Sequence, residues 1–454
     1  MIYKSEFFRG THCSKAWWLF QERTELKASR SDERDVFQLA AIETTKKARE
    51  LYPQGIKVSG TTQQKIEQTL HAVQNKTSII FNAHFQWEEV LVTVDILILE
   101  KNSWSFLLVK SAAKKKRKHL RDAALQWNVL KAKGLSLNTV CLLHINTSYV
   151  LEKKLDLNQF FNRLDMTAAV LDLQPELDRQ FDSLSTALAG NTPEIEIGAH
   201  CLQPHECEFK NHCWSNLPEL PIFNLTRLAT SKKVELFEKG IFQSKDLPED
   251  YPLTDAQKIQ IHAEKTNSQF INKPEIEKFL KKLKFPLCFL DFEALQPVAP
   301  RFPGDAPFEF IPIQYSLHQI KTEEASLEHT EFLTEDDNDP RLEFATSLIK
   351  SIPPNACILV YNASLEKKIL ESLAIRFPKL EKSLMDIAHQ LTDLIEPFHN
   401  KHIYDPKMKG KSSIKSVLPA LIPEMEKSYQ NLNIKNGMMA MGAYFKFMSN
   451  QNFE

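Results

Sequence analysis

The sequence predicts an α/β protein of two α/β units joined by a helical stretch. Three observations carry that expectation. Within residues 78–112, "SIIFNAHFQWE", "VLVTVDILILE" and "SWSFLLVKSA" are rich in β-branched and aromatic residues and are flanked by segments of helical period. Residues 216–282 lose this strand pattern and read as short helices and loops. From residue 283, strand-like and helix-like segments alternate, which argues for a mixed sheet covered by helices. The expected organisation is therefore 1–215, 216–282 and 283–454.

In chain order, "SKAWWLFQERTEL" opens a helix with Ser14 as N-cap, and "DVFQLAAIETTKKARELYPQG" carries a helical apolar face that stops near Pro53 and Gly55. The three strand segments follow as an antiparallel set, with "KNS" as a turn. "LRDAALQWNVLKAKG" returns to helix, with Gly134 as its C-cap. "TVCLLHI" is a buried strand. The long stretch "LNQFFNRLDMTAAVLDLQPELDRQFDSLSTALAG" reads as helix. In the middle region, "LTRLATSKKVELFEKGIFQSKDLP" suggests a helical hairpin with a Gly-Ile turn, resembling a helix-hairpin-helix element. Beyond it, "FPLCFLDFEAL", "FIPIQYSLHQI", "SLEHTEFL" and "ACILVYNAS" are strands. "PRLEFATSLIKSI" and "LEKKILESLAIRF" are helices.

Composition excludes several classes. Hydrophobic content of 43% and charged content of 25% suit a globular chain. The formal net charge is -1, so affinity for nucleic acid must come from local patches. The amino-terminal residues carry charges throughout and lack the apolar core of a signal peptide. No uncharged apolar run approaches about 18 residues, so no membrane partner is expected. Seven cysteines without a secretion signal argue against a disulfide framework and for a cytoplasmic location.

Three cysteines cluster in "CLQPHECEFKNHCW", at Cys201, Cys207 and Cys213. An interval of six does not keep residues on one helix face, and zinc fingers favour closer pairs. A zinc site completed by His205 or His212 stays open. So does an iron–sulfur cluster, which needs four thiolates. The best remote fourth donor is Cys13, in "GTHCSKAWW". Cys141, Cys288 and Cys357 sit in apolar runs and read as buried small hydrophobes.

One cysteine near the start and three after the strand-rich region resemble the iron–sulfur-stapled branch of RecB-type nucleases. The likeness covers about residues 1–215. It implies a restriction-endonuclease-like fold and a structural 4Fe-4S cluster on Cys13, Cys201, Cys207 and Cys213, with zinc as the alternative. It also implies a PD-(D/E)xK site in "VTVDILILEKNSWSFLLVKSAAKKKRKHLRDAALQWNVLKAKG". Asp95 stands at the first acid, Lys110 at the motif lysine, Gln126 at the helical glutamine and His84 at the family's extra histidine. The motif acid belongs two residues before Lys110, where this chain has Leu108. A leucine cannot ligate Mg²⁺, and neither Glu88 nor Glu100 has a positional argument as a substitute. This unit is therefore expected to lack ordinary nuclease activity and to bind DNA. The basic run Lys114, Lys115, Lys116, Arg117 and Lys118, with Arg121, lies beside the site and suits phosphate.

In "FLDFEALQP", Asp291 and Glu293 project from one side of a strand, where two acids repel unless a cation lies between them. Together with "PGDAPFEFIPIQYSLH", "LVYNASLEKKIL" and "GKSSIKSVLPALIPE", this resembles a family of bacterial proteins that fuse a RecB-type domain to an RNase-H-like DEDD exonuclease domain. The likeness runs through nearly the whole chain. It implies Mg²⁺ or Mn²⁺ bound by Asp291 and Glu293, with Glu366 at the second acid position and Asn362 nearby. Asp393, in preference to Asp386, is a further acid on a following helix. The family's last carboxyl-terminal acid has no evident counterpart before "AYFKFMSNQNFE", which reads as a truncation or a missing ligand. Lys411 and Lys415, at the start of the helix "SIKSVLPAL", are candidates for holding a phosphate.

The resulting expectation is a 3′–5′ exonuclease acting on DNA, with a degenerate, DNA-binding amino-terminal domain. The alternative is a non-catalytic nucleic-acid-binding protein built from two decayed nuclease folds, and a cluster used as a redox sensor is a third reading. Nucleic acid, with DNA favoured, is the expected partner, and protein partners are left open.

Overall fold

A computed structural model of the chain describes residues 1–28, 33–188, 192–425, 437 and 439–444. The chain divides into two compact units. One comprises Met1–Cys213 with Pro297–Glu309, and the other comprises Trp214–Gln296 with the chain from Phe310 onward. Both are mixed α/β structures.

The first unit is built on a seven-stranded sheet. Its strands are β1 (Ile2–Tyr3), β2 (Ile56–Lys57), β3 (Ile79–Trp87), β4 (Val90–Glu100), β5 (Ser103–Lys110), β6 (Leu137–Ile145) and β7 (Phe161–Asp165). The order is β2-β3-β4-β5-β6-β7, with β1 paired to β4. The β3–β4 and β4–β5 pairs are antiparallel, as their sequences predict, and β5–β6 is parallel. Five helices matter here: α1 (Lys4–His12), α2 (Ser14–Glu22), α3 (Glu33–Glu50), α4 (Thr62–Gln74) and α5 (Arg117–Ala132). Alternation along β5 sends Phe106 and Leu108 to one sheet face, in a core with Ala123, Trp127 and Leu130 of α5. Leu107 and Val109 go to the other, with Ala48 of α3 and with Val298 and Ala299 from the 297–309 segment. That segment is bound to the unit by backbone, through Leu151 N–H to the Asp305 carbonyl at 2.9 Å and Gly304 N–H to the Leu151 carbonyl at 2.7 Å.

Two local expectations change. The stretch 157–190 is not one helix, because it contains β7, which pairs antiparallel with β6. "FNRLD" carries no alternation signal, and it becomes a strand because β6 offers it an edge. Ser14 is the first helical residue of α2, and Cys13 is the N-cap, its sulfur accepting from the Ala16 amide at 3.4 Å.

The second unit contains a five-stranded sheet of β9 (Leu287–Leu295), β10 (Ile311–Ile320), β11 (Glu328–Leu333), β12 (Cys357–Val360) and β13 (Leu391–Asp393), in the order β11-β10-β9-β12-β13. A two-stranded ribbon pairs β8 (Phe270–Ile271) with β14 (Ile403–Tyr404). β9 pairs antiparallel with β10 and parallel with β12, and β12 is parallel with β13. Cys288, Leu290 and Phe292 of β9 face a core made with the helices Arg341–Ser351, Ser364–Arg376 and Glu381–Gln390. Period two then sends Asp291 and Glu293 to the opposite face. Asp393 lies on β13, not on the expected helix, because Leu391–Asp393 pairs with Ile358–Val360.

The predicted helical hairpin is corrected as well. Thr230–Glu238 is its first arm, and Gly240 turns with φ +82°. The following residues form a bridge from Gln243 to Pro221 and a single 3-10 turn at Ser244–Asp246, so the second arm is absent at that place. The next helix begins at Asp255, where Thr254 and Gln257 form a capping box. Among the described residues, no helix is long and apolar enough to cross a membrane.

Candidate functional site

In the first unit, β3 and β4 are interrupted opposite one another at Asn82 and Asp95. Asn82 has φ +56°, and its side-chain oxygen accepts from Arg49 at 2.6 Å. Asp95 turns its carboxylate to the Val109 amide of β5, at 2.8 Å. Burial raises the Asp95 pKa against the opposing pull of Lys110 and Lys4. Lys110 does not pair with Asp95 by a hydrogen bond. Its ammonium donates to Asp122 of α5 at 2.9 Å.

Asp122 is the hub that the motif reading missed. Its carboxylate also receives Lys4 at 2.9 and 3.0 Å and the Gln126 amide at 2.8 Å. Burial opposes its ionisation, yet Lys4 and Lys110 overcome burial and hold the carboxyl well below the usual range. Asp122 and Gln126 are four residues apart on one helix face, so spacing alone was a usable signal. Lys4 had none, because β1 pairing with β4 through Ile2↔Val90 and Tyr3↔Leu91 delivers it. Leu108 is fully buried. His84 is engaged elsewhere: its Nδ1 donates to the Asn82 carbonyl at 2.6 Å, and its Nε2 lies 3.3 Å from the Thr93 hydroxyl. Lys114, Lys115, Lys116, Arg117 and Lys118 are all exposed around the start of α5.

All seven cysteines are free thiols. Cys13, Cys201, Cys207 and Cys213 line one small cavity, together with His200 and Lys15. Burial and then neighbouring thiols raise the pKa of Cys213 and Cys207, after allowance for opposing contacts, and Cys13 behaves alike. Charged contacts hold the surrounding segments. Glu208 binds Arg9 at 2.6 Å and Lys27 at 2.7 Å, and Arg9 lies over the Phe20 ring at 3.7 Å. His12 Nε2 is 2.7 Å from the His200 carbonyl.

In the second unit, Asp291 and Glu293 rise from β9, and Glu366 comes from the first turn of the helix Ser364–Arg376. Glu366 is buried, and its Oε2 has no hydrogen-bond partner. Burial, then repulsion from Asp291, pushes Glu293 up to about 7. Burial is also the main cause at Glu366, which rises to about 7 with added repulsion from Asp291 and Asp393. The Asp291 residue is exposed overall, but the chain crowding its carboxyl still raises its pKa. Residues 288–413 match the model of a domain of unknown function, DUF2779. No curated protein gives a significant match to the chain. The DUF2779 match contains Asp291, Glu293, Glu366, Asp393 and Lys411, and it excludes Lys415, Asp95 and the cysteines Cys13, Cys201, Cys207 and Cys213.

Within the matched span, Asp393 is fully engaged with backbone. Its oxygens accept from Asn362, Ala363 and Ile395 at 2.8, 2.9 and 3.0 Å. It thereby fixes the turn from which the Glu366 helix starts, at Asn362 with φ +69°. Asp386 is exposed on the preceding helix. Lys411 and Lys415 are exposed, and Tyr361 ties their segment to the Asn362 turn by donating to the Ser412 carbonyl at 2.6 Å. Gly437 approaches the acids closely: a Cβ there would lie 2.7 Å from Glu293 Oε2. Among the described residues, no three His, Cys, Asp or Glu side chains are already gathered around a single metal position.

Proposed function

We propose that this protein is a metal-dependent nuclease whose reaction centre is the acid cluster of the second unit. The observation that carries the reading is Glu366 Oε2, buried and unpartnered, with Asp291 acting on both Glu366 and Glu293. Buried carboxylates of this kind are costly unless protonated or matched by a cation. Hard oxygen donors suit Mg²⁺ or Mn²⁺. A bound divalent ion would activate water and offset charge developing on a phosphodiester. Asp291, Glu293 and Glu366 would hold it, while Asp393 positions the helix carrying Glu366. The sheet order β11-β10-β9-β12-β13, with β9 central and only β10 antiparallel to it among its two neighbours, supports the RNase-H-like reading. DNA as substrate and 3′–5′ polarity follow from the resemblance to DEDD exonucleases.

The first unit would hold nucleic acid without cutting it. Five exposed cations at the start of α5 are unfavourable against the positive end of the helix, so the arrangement calls for an anionic partner. Four thiols around one cavity, without donors gathered on one point, suit a 4Fe-4S cluster better than zinc. A single zinc at about 2.3 Å from each sulfur would draw all four together, whereas cluster thiolates bind separate irons.

The test is cleavage of end-labelled single- and double-stranded DNA with Mg²⁺ or Mn²⁺, comparing the parent chain with Asp291→Ala. Loss of stepwise 3′-end shortening in the variant is expected. Equal, metal-independent background in both would sink the nuclease reading and leave a nucleic-acid-binding protein.

A further inference from the structure

The acid position of the first unit does not fit a divalent metal. Leu108 fills the place where a second strand carboxylate would stand, and it is packed in the core beside Phe106 and Trp127. Asp95 gives one oxygen to the Val109 amide. Asp122, which acts on Asp95, has Lys4 on both oxygens at 2.9 and 3.0 Å, with Lys110 and Gln126 adding further contacts. Two carboxylates therefore face two ammonium groups, and the Arg49 guanidinium also acts on Asp95. A Mg²⁺ ion needs oxygens at about 2.0–2.1 Å in near-octahedral array. Lys4 occupies the approach to both Asp122 oxygens that such an ion would need.

We propose that the Lys4 ammonium stands in for a divalent cation at the first unit's acid pair, Asp95 and Asp122, which makes that pair metal-independent. The replacement is built into the topology. β1 pairs with β4 through Ile2 and Tyr3, which places residue 4 at the start of α1 above Asp122. The side chain of Lys4 is 32% exposed, against 10% for Asp122, so the pair lies at the edge of the core with the lysine on the solvent side. The inference concerns a different acid cluster from the proposed nuclease centre, so the two can fail separately.

The experiment is Mn²⁺ binding to the full chain, followed by electron paramagnetic resonance. Asp95→Asn is expected to leave the number of bound Mn²⁺ ions unchanged, while Asp291→Ala reports the second unit independently. Lys4→Met, or the milder Lys4→Gln, is expected to create one additional Mn²⁺ site, which Asp122→Asn then removes. Lys4→Arg keeps the positive charge and is expected to create none. Loss of a Mn²⁺ site in Asp95→Asn overturns the proposal, as does a folded Lys4→Gln chain that gains no site. A variant-free measurement guards against misfolding. In the unmodified protein the Leu108 methyl resonances should stay sharp on addition of Mn²⁺, and their broadening would place the ion where Lys4 is proposed to stand.

Discussion

Asp122 in the first unit and Glu366 in the second are both buried carboxylates on helices that start beside a strand end. Asp122 is held ionised, with two ammonium groups and an amide on its oxygens. Glu366 is pushed toward its protonated form, with other acids nearby and one oxygen unpartnered. Burial acts against the charge in both, so the difference lies in the neighbours. Where the chain supplies its own cations, the site is electrostatically closed. Where it does not, the carboxyls are pushed toward their protonated forms.

The sharpest way to break that comparison is to remove one acid from each side. Asp291→Asn should lower metal-dependent cleavage by about 10²–10³-fold, whereas Asp95→Asn should leave turnover unaffected. Steady-state assays at saturating Mg²⁺ decide this. A next, smaller effect is on stability. Asp122→Ala leaves Lys4 and Lys110 with Asp95 alone as a counter-charge and should cost roughly 2–3 kcal/mol, less than breaking a fully buried pair because both lysine side chains are partly exposed. The denaturant midpoint reports it.

The pH dependence should run in opposite directions. Glu293 and Glu366 have folded values of about 7 against an ordinary 4.5. The folded chain thus binds more protons than the unfolded one between those values, and metal-free stability should fall as pH rises through that window. Above it the loss is complete, and Mg²⁺ should restore stability there. Asp122 is depressed from an ordinary 3.8, so its contribution is present above that value and is lost as pH falls below it. Thermal melts across the range, with and without Mg²⁺, separate the two. The smallest expected effect is on binding. Replacing Lys114 and Lys115 by alanine should weaken DNA affinity uniformly across sequences and reduce the salt slope by about one per lost phosphate contact.

Much of this arrangement was readable in the residues. Leu108 stood out through the likeness to the PD-(D/E)xK motif, which implies an acid two residues before Lys110. Asp291 and Glu293 stood out because strand positions two apart share a face, and the apolar segments around them carried their strands. Asp122 and Gln126 obeyed the helical i, i+4 rule, yet no motif drew attention to the aspartate. The strand β7 was illegible because its partner, not its own pattern, makes it a strand. Asp393 looked like a free acid, and only its backbone partners show it to be engaged.

The sequence by itself determined the two α/β patterns and the pairing of Asp291 with Glu293 on one strand face. Those depend on period and spacing, which are local. The tertiary structure decided which charges meet. It brought Lys4 to Asp122 across 118 positions, placed Cys13 on the same cavity as Cys201, Cys207 and Cys213, and set residues 297–309 in the first unit's core. Electrostatic energy falls with distance in space and is blind to distance along the chain. That is why the acids of one strand could be found from the sequence, while the cations that close the other site could not.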